Sequence, residues 1–417
     1  LGKVNASSDT PVLRNKTFLI LWGGQIVSML GDSLFSLALM WWVVSETGSG
    51  VAVSLVALAS SVPRLLLGPV VGVYVDRSDR RRMMLFADTL LGAITLGMTM
   101  LFWRGHFSLP IIVASAAILG AASSLDGPAY EATIPTIVDK SQLVRANSLM
   151  QTANSVIGLV APALSGLVIA LAGVGVAILL NSVSFFIAAI TLLVIRLPAQ
   201  IRVVKQRAFR RDLKDGAKLI WSSSLLLPML LYAALINLSL APISISLPLL
   251  VTEVLRGGPQ LLGLFGSFQS AGVLVASLLL SAMPTLLAAT GKIMILSLVG
   301  LGLATFFIAH VRSAPFLLLG GAMVGFVLVV ANVASRTIWQ REVPEEFRGR
   351  AFTARETISS GLRPLGQAIT GPLVDHLGPV WMIAAAGILC TIGGLLGLGV
   401  RSIMAYPKPA ASKSEAM

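Results

Sequence analysis

Runs of 18 to 25 apolar residues recur along the chain, separated by tight turns or short basic loops. At 1.5 Å of helical rise per residue, each run is long enough to cross the roughly 30 Å hydrocarbon core of a bilayer. The pattern predicts twelve spans: 17–44, 51–74, 83–103, 108–134, 148–172, 175–195, 220–251, 259–283, 292–310, 315–340, 356–375 and 379–400. The longest polar interruption, 197–218, carries Arg202, Lys205, Arg207, Arg210, Arg211 and Lys214 and divides six spans from six. The expected architecture is therefore an all-α integral membrane protein of twelve transmembrane helices in two pseudo-symmetric six-helix bundles, 17–196 and 219–401. A short N-terminal segment (1–16) and a tail (402–417) flank them. Leu213, Ala217 and Ile220 recur at helical spacing beside the charges, so part of the linker can form an amphipathic helix, although a plain solvated connector fits as well.

Composition agrees with this reading. Of 417 residues, 56% are hydrophobic and 12% charged, and the mean hydropathy is +0.88, far from soluble globular usage. The net charge of +13 does not indicate nucleic acid, because the basic residues fall in separate loops without an aromatic platform. Their distribution instead follows the positive-inside rule. Lys3, Arg14, Lys16, Arg77, Arg80, Arg81, Arg82, Lys140, Arg145, the linker, Lys292, the 341–355 loop and the tail are expected on one side, against Arg104, Arg256 and Arg312 on the other. Both termini are thus expected in the cytoplasm, with no cleaved leader. The single cysteine, Cys390, and three dispersed histidines exclude a disulfide frame and offer no metal-ligand spacing. Nor is there a nucleophile and base arrangement that would suggest an enzyme.

The halves repeat one another. Ile134–Asn147 follows span 4, and Val343–Ala351 follows span 10 at the equivalent place; each precedes a span containing Gly and Pro, around Pro162 and Gly166 in one half and Pro364 and Gly371 in the other. Duplication with irregular helices is the architecture of a secondary transporter. The densest connection is Gly72–Arg82, with four arginines in its last six residues. It orients the helices on either side of it, while Gly72 allows close backbone approach and Asp76 can accept hydrogen bonds at the start of a neighbouring helix.

These residues carry a resemblance to the major facilitator superfamily, and within it to drug and macrolide exporters and the related bacterial siderophore exporters, over nearly all of residues 15–401. Gly72, Asp76, Arg77, Arg80 and Arg81 match the superfamily's G-x-x-x-D-R-x-x-R-R loop. Trp22–Asp32 (WGGQIVSMLGD), Pro135 with Ala146 and Asn147, and Pro162 with Gly166, which partly resembles the antiporter motif, support the match. The resemblance implies the major facilitator fold and a cytoplasmic gate built on Gly72, Asp76, Arg80 and Arg81, the arginines meeting interior acidic groups or lipid phosphates. Span 4 lacks the arginine of many proton-coupled exporters, and Ala288–Lys292 is a weak counterpart of the basic loop.

Charges within the spans are the candidate chemistry, because an ionisable side chain at bilayer depth is costly unless it is used or paired. Asp32 lies about 21 Å up span 1 and Arg64 about 15 Å up span 2 by helical rise, close enough in height to pair. Asp126 shares that depth, and Glu131, nearer the end of span 4, suits the cytoplasmic gate better than a substrate site. In the second half Arg336 ends span 10, and Arg363 follows Glu356 by seven residues on one helix face, where it could meet an anionic substrate or offset the acids. Gln25, Asn154, Asn181, Asn237, Gln269 and Asn332 are expected mainly to join helices, and Trp41, Trp42, Trp103, Trp221, Trp339 and Trp381 to anchor the bilayer interface. The expected function is proton-coupled efflux of a moderately hydrophobic small molecule by alternating access. Siderophore export, lysophospholipid or lipid transfer, and a transport-inactive receptor are the alternatives. No cofactor is expected beyond an implied proton gradient. The expected partners are a small hydrophobic or amphipathic substrate and membrane lipid, not nucleic acid, with the protein acting as a monomer.

Overall fold

The computed structural model describes residues 11–75, 79–195, 209–283 and 289–406. Its elements are helical throughout: α1 (Lys16–Thr47), α2 (Gly50–Val75), α3 (Arg80–Trp103), α4 (Leu109–Ile137), α5 (Leu143–Val194), α6 (Phe209–Ser222), α7 (Leu226–Leu249), α8 (Pro259–Ala282), α9 (Thr290–His310), α10 (Ala314–Glu342), α11 (Arg348–Leu377) and α12 (Pro379–Gly397).

Among the described residues, ten helical segments are long and apolar enough to cross a membrane, where the hydrophobic pattern predicts twelve spans. The two counts differ at two places. Residues 148–172 and 175–195 run together as the 52-residue α5, broken by Gly173 at φ 86° and ψ 170°. Only glycine enters that region without a steric penalty. The second place is α11, which is less apolar: it carries Arg348, Arg350, Arg355, Glu356, Arg363 and Asp375, and its middle is rich in Ser, Thr, Gly and Pro. Span 7, with Pro242 and Pro248 inside it, is helical to Leu249 and ends in a π-helical turn, Leu250–Val254.

The helices group into two compact units. One contains α1, α3, α4, α5, α2 from Leu55 onward, and 257–267. Its core at one end joins Phe18 and Leu21 of α1, Met83 and Met84 of α3, Ala129 and Ile134 of α4, and Leu192 of α5. Asn15 ties that end together: its side-chain oxygen accepts from the Phe18 N–H at 3.1 Å, and its Nδ2 donates to the Ile137 carbonyl at 2.6 Å. The other unit contains Ser49–Ser54, α6, α7, α8 from Phe268 onward, and α9 to α12.

Corresponding details recur in the two units. Helices α4 and α10 are both 29 residues long, and each begins after a serine with proline in its first turn. A Cβ on Gly120 of α4 would lie 2.2 Å from the Ser60 carbonyl oxygen of α2, and one on Gly325 of α10 would lie 1.9 Å from the Gln269 carbonyl oxygen of α8. Both glycines are twelfth in their helices. Backbones meet this closely where small residues replace side chains, the usual device of helix packing in lipid.

The amphipathic helix foreseen in the linker is α6, and it packs on α11 rather than standing as a solvated connector. Ile220 is fully buried, and Arg350 Nη1 meets Asp215 Oδ2 at 3.4 Å.

Candidate functional site

In the first unit, α1, α3 and α4 bring three carboxyl groups together. Asp32 lies within electrostatic reach of Asp126 and of Arg64, and Asp88 lies within reach of Asp126 and Asp32. Asp32 is exposed on α1. Asp88 is only 4% exposed. Hydropathy alone missed Asp88, because it sits a few residues into α3 and reads as part of the polar hairpin end. Its signal was an isolated acid in the apolar run Leu85–Leu91. Among the described residues, no three such side chains approach closely enough to hold a metal ion.

Beside this cluster is a cavity of about 220 Å³ lined by Trp22, Gln25, Ile26 and Met29 of α1, Gly127, Tyr130 and Glu131 of α4, and Met150, Ala153 and Asn154 of α5. Tyr130 links the two features, since it borders the cavity and lies within electrostatic reach of Asp126. The indole N–H of Trp22 and the hydroxyl of Tyr130 are buried without hydrogen-bond partners in the protein. A buried polar group left unpaired costs about 1–3 kcal/mol, so these atoms have the character of handles for a ligand. Met29 and Met150 supply adaptable apolar walls. Glu131, assigned to a gate from its position, lines this cavity.

A second cavity of about 210 Å³ lies in the other unit, between α7, α10 and α11. Its walls include Tyr232, Asn237, Asn332, Ser335, Arg336, Arg355, Glu356 and Ser360. Arg336 is thus a cavity residue, while Arg363 lies about two turns beyond and is not among the lining residues. Arg355 was missed because it closes the basic 341–355 loop in sequence, whereas α11 already starts at Arg348. Four of the six amides expected to join helices line cavities: Gln25 and Asn154 the first, Asn237 and Asn332 the second. Trp339, expected at the bilayer interface, is fully buried, and the Arg355 guanidinium stands 5.4 Å over its ring. Trp103, Trp221 and Trp381 are exposed, as interface anchors would be.

The hairpin residues separate into two groups. Gly72 falls in the last turns of α2, and Asp76 lies outside the described residues. Arg80 and Arg81 were expected to meet acids or lipid phosphates, but they hold backbone carbonyls. Arg80 Nη1 donates to Ala132 O at 2.6 Å, while Arg81 Nε and Nη2 donate to Leu192 O at 2.7 Å and Leu193 O at 3.0 Å. Those carbonyls belong to the final turns of α4 and α5, where a cation also complements the helix dipole. Pro162 and Gly166 form a close crossing: a Cβ on Gly166 would lie 2.6 Å from the Pro259 carbonyl oxygen, and one on Gly263 would lie 2.2 Å from that of Pro162. The Ala163 N–H donates to Ser267 Oγ at 3.0 Å.

Residues 6–414 match the family described as transmembrane secretion effector, a branch of the major facilitator superfamily. The chain belongs to this family. It is 24% identical over 372 residues to macrolide efflux protein A of Streptococcus pyogenes, covering 87% of this chain and 90% of that protein. It is 25% identical over 390 residues to the multidrug efflux pump Tap of Mycobacterium tuberculosis, covering 91% and 92%. The crystal structure of the nucleoside transporter NupG superposes with a TM-score of 0.74 at 12% identity, covering 93% of this chain and all of that one. The protein is thus a multi-pass membrane transporter of the secondary type and not an enzyme.

Proposed function

We propose that this transporter exports a moderately hydrophobic, amphipathic small molecule in exchange for protons, by alternating access of two six-helix halves spanning 17–196 and 219–401. The reading takes α5 as two spans and α11 as a span despite its charges, giving twelve crossings. It places the protein in the inner membrane of a bacterium, monomeric, with both ends in the cytoplasm.

The observation that carries the proposal is the grouping of Asp32, Asp88 and Asp126 with Arg64 beside a mixed apolar and polar cavity. Three carboxyls against one guanidinium hold an excess of negative charge that bound protons offset. Binding or release of those protons changes the electrostatic field at Tyr130 and hence at the cavity wall. An exporter needs this linkage between a titrating group and the cargo site. The efflux activities named for the macrolide and Tap relatives support the direction.

The test is substrate movement in proteoliposomes with and without an imposed proton gradient, over a panel that includes macrolides and siderophores, with Asp32→Asn as the matched variant. Gradient-driven flux that Asp32→Asn abolishes supports the proposal. Absence of gradient-dependent movement for every compound would sink it.

A further inference from the structure

The second cavity has the opposite charge balance from the first. Arg355 interacts electrostatically with both Arg336 and Glu356, so two guanidiniums stand against one carboxylate. Glu356 Oε1 is already engaged by the Ser360 hydroxyl at 2.8 Å. Arg355 is held in place on one side only: its Nη2 donates to Ser335 Oγ at 3.3 Å, its plane lies over the buried Trp339 ring, and its Nε is buried with no hydrogen-bond partner. Two neighbouring cations in a partly desolvated cavity repel each other, and a partner of opposite charge removes that cost. A guanidinium fixed by stacking has lost its rotamer freedom in advance, and its planar fork matches the two oxygens of a carboxylate or phosphate. Ile236 and Ala331 provide apolar wall in the same cavity.

We propose that this cavity recognises the oxyanion, carboxylate or phosphate, of an amphipathic small molecule, with Arg355 as the preset fork and Arg336 as the second cation. The inference rests on the export reading only in taking that molecule to be cargo; binding itself requires no gradient.

The test is isothermal titration calorimetry on the purified full-length protein in micelles, without a gradient, using hexanoate, hexyl phosphate, hexanol and inorganic phosphate. Hexanoate or hexyl phosphate should bind about tenfold or more tightly than hexanol, and Arg355→Gln should weaken the anion by about tenfold, as expected for loss of a charged hydrogen bond. Hexanol binding should not change. Arg336→Gln, at an exposed position on the cavity wall, should weaken the anion without disturbing the fold, and it decides the matter if Arg355→Gln does not fold. Inorganic phosphate binding as tightly as hexyl phosphate would identify the ligand as a free anion and overturn the amphipath; tighter binding of hexyl phosphate supports an amphipath's head. Hexanol binding as tightly as both chain-bearing anions would overturn the inference, as would anion affinity unchanged in the variants. Gradient-independent flux alongside selective anion binding would count against the export reading alone, and the reverse result against this inference alone.

Discussion

Replacing Asp375 by alanine should release the first turn of α2. The Asp375 carboxylate accepts from the Gly50 N–H at 2.5 Å, the Val51 N–H at 3.2 Å and the Ser49 hydroxyl at 2.8 Å. The first two are backbone donors at the start of a helix, which have no partner within the helix itself. Hydrogen bonds to a charged acceptor contribute about 1.5–3 kcal/mol each when sheltered, but Asp375 is exposed and water substitutes for part of the loss. The measured cost of removing an N-cap, about 0.5–2 kcal/mol, is the better guide. A loss of about 1–2 kcal/mol accelerates exchange of the protected amides by about fivefold to thirtyfold. Hydrogen–deuterium exchange read by mass spectrometry on a peptide covering 50–54 would measure this, with Asp375→Asn, which keeps one acceptor oxygen, falling between wild type and alanine. Unchanged exchange at 50–54 in Asp375→Ala would refute the reasoning, because a carboxylate that caps nothing has nothing to release.

Three further outcomes follow from the packing and the charges. Gly325→Ala should destabilise the protein by about 1–3 kcal/mol as two backbones are forced apart, whereas Gly97→Ala, where a Cβ meets nothing within 4 Å, should be neutral or stabilising by up to about 1 kcal/mol; thermal unfolding in detergent separates them. Arg81→Gln should lower stability by about 1–2 kcal/mol through loss of its bonds to the Leu192 and Leu193 carbonyls, and an unchanged melting temperature would show that the clamp is idle. Asp32→Asn should cut gradient-driven flux at least about tenfold, equivalent to about 1.4 kcal/mol, with normal membrane insertion; full coupled flux at normal expression would remove Asp32 from the coupling role.

Most helix positions were legible in the sequence because a membrane span is a signal summed over some twenty residues, which single substitutions hardly blur. The site was less legible, since it depends on which helices adjoin, and neither Asp88 of α3 nor Tyr130 of α4 carries any mark of its neighbour on another helix. Trp339 misled for the same reason. An aromatic near a span end reads as an interface anchor, and only the fold buries Trp339 and places Arg355 over its ring.

Where the hydrophobic pattern broke down, it pointed to chemistry. Helix α11 is less apolar than the ten spanning segments, and several of its charges have partners. Arg350 engages Asp215 of α6, Arg355 and Glu356 line the second cavity, and Asp375 caps α2. Each charge at bilayer depth carries a solvation cost that packing alone does not offset, and Arg350, Arg355, Glu356 and Asp375 all have polar or cavity roles. The same logic applies to Asp88, an acid in an apolar run that proves to be one of three grouped carboxyls. In a chain this hydrophobic, the residues that make a span a poor span are the first candidates for function, and the fold is needed to show which of them meet.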